Sequence, residues 1–402
     1  MVLKISRLAP LALAVAVLSA QAQGSNEPSF NFSGFATVGV VSTDNNDGAY
    51  AITGELHGAT KHKASGEVDS KIGVQGTVKL NKMFSGTVQL LSKQDGDGSY
   101  MPNVEWAFVK AQLMPSLSIR VGRMGAPLFA VSDFRDVGYA NLWLRPPQDV
   151  YGQVPISNFD GADVIYQMPV GSTTLTAQVY GGRSKAVVQH TDIELKSEVG
   201  FNLTAEMDNG LTLRAGRIQG KLTVDSATLA NLVGILRTTP FASVGNELDP
   251  TNKKASFTGV GASYDQGNVV GSFEYTWRRT DSYVPDTTGW FATLGYRFGK
   301  VTPYLTVSEL KQDSSNVTNN IPTGVSPTLN TLKATVDGVV YGQSRNQKTV
   351  AVGARWDFYR SMALKAQYEN VKPNGPGLFI NTNGNFGQTK VNVYSLSVDM
   401  VF

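Results

Sequence analysis

Apolar and polar residues alternate with a period of two through most of this chain, in bursts of about ten residues. Residues 71–80 are the clearest case. Ile72, Val74, Val78 and Leu80 take one face, and Lys71, Gln75, Thr77 and Lys79 take the other. Such a period predicts β-strands with one apolar and one polar face. Comparable segments lie at 30–42, 84–93, 104–112, 117–123, 161–168, 173–181, 194–207, 211–218, 254–264, 268–279, 289–298, 301–310, 346–358 and 361–371, with a last strand running to Phe402. The register of 30–42 is left open, because both of its faces are fairly apolar. The count is about sixteen strands, joined alternately by short turns and long loops, seven short and eight long. Asp208-Asn209-Gly210 carries the asparagine-glycine pair of a tight hairpin turn.

Regular sorting of loops by length is what an up-and-down antiparallel barrel requires. Short turns then gather at one rim and long loops at the other, and both termini lie on the short-turn side. A soluble sandwich has no reason to sort its loops this way. Within the loop at 219–253, Leu229, Leu232, Val233 and Leu236 have helical spacing and predict a short helix at the rim.

The third long loop, 124–160, departs from the pattern. It has no strand period, yet it is rich in Trp, Tyr, Phe, Leu and Val and carries charges of both signs. A loop this long and this apolar is expected to pack against something. Our reading is that it folds into the barrel mouth and narrows it.

The N-terminus changes the compartment. Lys4 and Arg7 precede an apolar stretch, 8–18, and Ala20-Gln21-Ala22 has the form of a cleavage site. Residues 1–22 therefore read as a secretory signal peptide, with 23–402 as a single domain. The competing reading, an N-terminal anchor, is poorly served by so short an apolar run. Setting Lys4 and Arg7 aside leaves 33 basic against 32 acidic residues, which gives no case for nucleic-acid binding. The chain has no cysteine, so disulfides and thiolate metal sites are excluded. Beyond the signal, no apolar run approaches the ~18 residues of a spanning helix.

The polar strand faces carry Lys71, Lys79, Arg120, Arg214, Arg297, Arg355, Lys365, Glu198, Glu206, Glu274, Asp357 and Glu369. So many charges cannot fill a dry core. A barrel of about sixteen strands is wide enough to hold water around them. The opposite faces supply a Val, Leu and Ala band for lipid. Trp106, Trp277, Trp290, Tyr296, Trp356, Phe358, Tyr394 and Phe402 are candidate interface aromatics.

In the last strand Tyr394, Leu396, Val398, Met400 and Phe402 form one face. An amphipathic strand ending on Phe resembles the close of bacterial outer-membrane barrels. That resemblance implies recognition of Tyr394 and Phe402 by the barrel-assembly machinery. The chain from residue 23 onward resembles the general Gram-negative porins. The likeness also falls on 121–123 through Asp133, on Asp136-Val137-Gly138-Tyr139-Ala140 and on Trp143-Leu144-Arg145-Pro146-Pro147. It departs from the Pro-Glu-Phe-Gly-Gly loop tip of the enteric porins, so no eyelet residue carries over one for one.

The resemblance implies a sixteen-stranded homotrimer in the outer-membrane lipid, passing small hydrophilic solutes and ions without a cofactor or metal. In that family the third loop bears acidic residues that face basic residues on the wall. The loop candidates here are Asp133, Arg135, Asp136, Arg145 and Asp149. The wall candidates are Lys71, Lys79, Arg120, Arg123 and Arg355. Two other readings stay open. A sugar- or anion-selective channel would line its path with an aromatic track, for which Tyr139, Trp143 and Tyr151 are available, or with a basic ladder. A barrel enzyme would need a histidine beside a nucleophile or acid. His57, His62 and His190 all fall in long loops, where we read them as solvated side chains, with Glu55 and Glu67 near the first two.

Overall fold

The computed structural model describes residues 28–384, 386–387 and 390–402. The signal segment 1–22 lies outside these. The amphipathic segments form sixteen strands: β1 (Ser29–Thr43), β2 (Lys71–Lys79), β3 (Phe84–Lys93), β4 (Asn103–Met114), β5 (Leu117–Gly125), β6 (Asn158–Val170), β7 (Thr173–Val188), β8 (Thr191–Met207), β9 (Leu211–Asp225), β10 (Lys253–Gln266), β11 (Val269–Thr280), β12 (Asp286–Tyr296), β13 (Val301–Ser314), β14 (Asn346–Tyr359), β15 (Met362–Asn374) and β16 (Val391–Val401). Each pairs antiparallel with its sequence neighbours, and β1 pairs with β16 to close the barrel. Closure leaves no strand edge unpaired, the condition a sheet must meet in hydrocarbon. Among the described residues no helix is long and apolar enough to cross a membrane.

The alternation resolves into two faces. Val38 (70% exposed), Val121 (59%), Val179 (62%) and Leu294 (63%) stand on the outside. Their neighbours Thr37, Arg120, Gln178 and Thr293 point inward and are buried or half-buried. The register of β1 is thereby settled: Phe30, Phe32, Val38 and Val40 face out, while Phe35, Thr37 and Val41 face in. Tyr296, Phe298, Trp356, Tyr359 and Phe402 are exposed near the short-turn rim, a position suited to an interface belt. Trp106 does not belong to such a belt. It lies inward at the base of the third loop, where Gly125 approaches its indole.

Two expectations are corrected. The fourth long loop is a two-residue turn, because β7 and β8 run on to Val188 and Thr191. Gln189 and His190 make that turn with φ of 48° and 60°, the left-handed pair of a tight hairpin. Bulges at 182/184 and 196/199 break the alternation and so hide the extension. Helix α1 (Gln148–Tyr151) lies in the third loop; the rim helix of the fifth loop is α2 (Ala227–Arg237), but α3 (Ala242–Leu248) and α4 (Pro327–Gly342) accompany it. Leu229, Leu232, Leu236, Val244, Leu248, Val317, Ile321 and Val336 form one apolar cluster that joins the fifth and seventh outer loops.

Barrel closure depends on a close fit at the chain end. The Gly34 and Phe402 backbones exchange two hydrogen bonds, of 2.7 and 2.9 Å. A Cβ on Gly34 would meet the Phe402 ring at 2.4 Å. Gly34→Leu is expected to displace that ring and cost about 1–3 kcal/mol. The measurement is the temperature at which the folded barrel converts to the unfolded form on a gel; an unchanged temperature would show that Phe402 packs elsewhere.

Candidate functional site: the inward loop and the wall it leaves uncovered

The connection between β5 and β6 turns into the barrel. Its base is set by glycine. Gly122 has φ +132°, and a Cβ there would lie 2.3 Å from the Ala107 carbonyl oxygen, so only glycine fits. Gly122 faces Gly161, and Gly161 faces Gly182, so three glycines sit in register across β5, β6 and β7.

Met124, Leu128, Phe129, Trp143, Val150, Tyr151, Ile156 and Phe159 form a buried cluster with the wall residues Tyr180, Leu195, Ile218, Phe257, Phe291 and Tyr304. Phe129 stacks on Tyr151 at 4.5 Å between centroids and meets Phe257 edge-on at 5.2 Å. Each such side chain contributes about 1.5–3 kcal/mol of burial. The loop therefore lies against β7–β13, as its apolar composition requires.

Polar wall residues hold the loop backbone. Lys365, fully buried, donates to the carbonyls of Gly138, Asn141 and Trp143 at 2.6–2.7 Å and pairs with Asp399 at 3.0 Å. Asp399 in turn accepts from Thr37 at 2.6 Å. Arg355 donates to the carbonyls of Tyr139 (2.6 Å) and Asn141 (3.0 Å) and lies 4.6 Å over the Tyr139 ring. Arg214 donates to the carbonyls of Pro127 and Leu128. Glu274 accepts from the Ala130 amide and the Tyr151 hydroxyl.

The ten sequence candidates separate by position. Arg145 and Asp149, expected at a water-facing edge, are buried at 2% and 1% exposure. Arg145 is shared between Asp69 (2.7 and 2.9 Å), Glu369, Tyr50 and Ser395. Asp149 accepts from Ser308 at 2.7 Å, and burial pushes its carboxyl up to about 6. Both anchor the loop, and neither lines an opening. Arg355 belongs with them, since its guanidinium is occupied by loop carbonyls and Asp357. Arg123 is also corrected. Strand alternation sets it on the outer face beside Val121, paired with Asp160 at 2.7 and 2.9 Å.

The rest meet the lumen. Asp133 is exposed. Asp136 bridges Lys71 at 3.3 Å and Lys93 at 3.0 Å, with Arg135 at 3.8 Å. Its enclosure works toward protonation, but Lys93, Lys71 and Arg135 outweigh that and hold the carboxyl well below the usual range. Arg120 pairs with the buried Asp163 through Nε at 3.1 Å and lies 5.2 Å over Phe108. Lys79 is exposed on the inner face near the short-turn rim, far along β2 from the loop. Sequence reasoning passed over Lys93 and Lys110, although both fall on the inward phase of their strands. Tyr139, Trp143 and Tyr151 form no exposed track: Trp143 donates to Thr293 at 2.8 Å and, like Tyr151, is buried.

The histidines lie in outer turns, His57 with Glu67 at 3.3 Å and His190 with Asp97 at 2.9 Å. Among the described residues no group of three metal-ligating side chains occurs.

No family model matches the chain, and no curated protein does. Solved structures do. The chain is similar to OmpF of Salmonella typhi, in complex with daunomycin, at 15% identity and a TM-score of 0.58 over 94% of this chain and 98% of that one. It is similar to the outer-membrane channel DcaP of Acinetobacter baumannii at 10% identity and 0.53, over 94% and 99%. The trimer form of OmpT, an outer-membrane protein of Vibrio cholerae, gives 13% and 0.50, over 94% and 100%. At these identities the likeness is one of fold: a sixteen-stranded outer-membrane-type barrel.

Removing the central anchor tests the loop's attachment. Arg145→Met leaves Asp69 and Glu369 buried without their cation, a loss of about 3–5 kcal/mol. Hydrogen exchange at 138–151 is expected to rise sharply while the barrel strands stay protected. Unchanged exchange in this segment would mean that the apolar cluster alone holds the loop.

Proposed function

We propose that this chain is an outer-membrane porin, a water-filled channel through which small hydrophilic solutes and ions diffuse passively. The observation that carries the reading is the division of the inner wall. The loop covers β6–β16 with apolar and hydrogen-bonded contacts. It leaves the inner faces of β2–β5 lined by Lys71, Lys93, Lys110 and Arg120, opposite Asp133, Arg135 and Asp136. Charges of both signs across a narrow aqueous gap suit a path for polar solutes. They have no use in a barrel filled for stability alone.

The path runs between segment 131–137 of the loop and the β2–β5 wall, and that gap is its narrowest part. No catalytic group enters this account, and we read the chain as a channel rather than an enzyme. A homotrimer is the assembly we favour. The outer faces of β1–β3 expose Phe30, Phe32, Val38, Val40, Ile72, Val78, Phe84 and Val88 without a charge among them, which suits an apolar partner surface.

Reconstitution of the purified protein into a planar bilayer tests the function. Ohmic openings are expected, in steps of three for a trimer. A demonstrably folded barrel that does not conduct would overturn the reading. Asp133→Asn with Asp136→Asn is expected to shift the reversal potential in a salt gradient toward anions, with the channel still open. No shift would remove both residues from the narrowing.

A further inference from the structure

The inner faces of β1–β5 carry five cations and no carboxylate. They are Lys71 and Lys79 on β2, Lys93 on β3, Lys110 on β4 and Arg120 on β5. The acid on β4, Glu105, is the extra residue of a bulge between Val104 and Trp106, where it accepts from Asn158 and lies near Arg123.

Strand register arranges the cations in two tiers. Lys71 stands opposite Lys93 in the upper tier. Lys79, Ser85, Lys110 and Arg120 form one continuous row in the lower tier, each opposite the next. Gln75 with Gln89 and Thr77 with Thr87 fill the interval, bonded to each other and uncharged. Eight residues separate Lys71 from Lys79, about 26 Å along the strand at ~3.3 Å per residue. The ladder thus runs from the loop to the short-turn rim.

The carboxylates that share this water are fewer and largely committed. Asp136 is spanned by Lys71 and Lys93. Asp163 is buried and held by Arg120 and Gln178. Asp133 is exposed with no hydrogen bond or ion pair among the described residues, as is Glu206 across the lumen on β8, and Arg135 beside Asp133 adds another cation. At the other end, Lys79 and Lys110 have neither an ion pair nor a hydrogen-bond partner among the described residues. Asp95 and Asp97 belong to the second outer loop, outside the narrowing. Asp69, Glu369, Asp149 and Glu274 are consumed in anchoring the loop. Near-neutrality of the whole chain therefore conceals a local surplus of positive charge along the path.

We propose that this ladder makes the channel prefer small anions, of carboxylate or phosphate chemistry, over cations of similar size. The inference rests on the channel reading above and names its solute class. An anion entering past Lys71 and Lys93 meets Gln75 and Gln89, then Lys110, Arg120 and Lys79, with no carboxylate on the strand faces it passes. A cation meets the same field reversed. Within a low-dielectric shell this field is focused along the water path.

The first test is the reversal potential of the full-length mature protein in a planar bilayer under a KCl gradient. The expected sign is that of chloride preference, and the preference shrinks when both solutions are raised toward 1 M, where charges are screened beyond ~3 Å. A conducting channel that reverses at zero, or on the potassium side, overturns the inference and leaves the channel reading intact. A folded barrel with no conductance overturns both. A preference that persists undiminished in 1 M salt also overturns it, because size would then be the filter.

The second test is the double variant Lys79→Gln and Lys110→Gln. Neither side chain has a partner to lose, so folding is preserved. Its reversal potential is expected to move toward zero, with acetate and phosphate currents falling relative to potassium while channel opening is unchanged. An unmoved potential would show that the lower tier is not part of the filter.

Discussion

A loop inside a barrel must find partners for backbone groups that neither a strand nor open water satisfies. Here the wall supplies them as fixed cations. Lys365 takes three loop carbonyls, Arg355 takes two, Arg214 takes two, and Arg278 takes that of Gln153. Charge-assisted hydrogen bonds of this kind are roughly twice as strong as neutral ones. Their directions also fix the carbonyls, so the loop backbone has one path. The apolar cluster gives the loop its affinity for the wall, and these donors give it a position. The width left beside β2–β5 follows from both.

That arrangement explains why charge on the inner wall divides into two functions. Cations on β9, β11, β14 and β15 lie under the loop and are spent on carbonyls or on buried acids. Of the cations on β2–β5, Lys71 and Lys93 meet the loop only at Asp136 on its edge, and Lys79 and Lys110 keep no protein partner among the described residues. The same residue types at the same inward phase thus do different work according to whether a single segment covers them. Arg145 is the converse. It belongs to the loop, but burial between Asp69 and Glu369 makes it a structural cation.

Much of the fold was legible because a membrane barrel writes its constraint into every strand: one face meets lipid and the other meets polar groups, with a period of two. The sixteen strands, their neighbours and the inward phase of Lys71, Arg120 and Lys365 all follow from that. Legibility failed where the period is interrupted. The bulges in β7 and β8 shift the phase, so paired strands read as a loop. Helix α4 was missed although Ser326 caps it, Pro327 opens it, and Leu329, Leu332 and Val336 carry helical spacing. Its Asn, Thr and Gly content resembles a loop, and its apolar stripe is satisfied only by residues of another loop.

The site was legible in its location and only partly in its members. Periodicity assigns a residue to a face, but coverage by a distant segment is a tertiary fact. Asp133, Arg135 and Asp136 meet the lumen, while Asp149, four residues beyond Arg145, points into the wall toward Ser308. Nothing in local sequence separates these carboxylates, since each sits among aromatic and aliphatic neighbours. The separating feature is the turn at 138–141, where the loop crosses to β16 and β1 and is caught by Lys365 and Arg355. Residues before that turn edge the gap beside β2 and β3, and residues after it run along the covered wall. The position of two cations, the half-buried Arg355 on β14 and the buried Lys365 on β15, therefore decides which acids of the third loop face water.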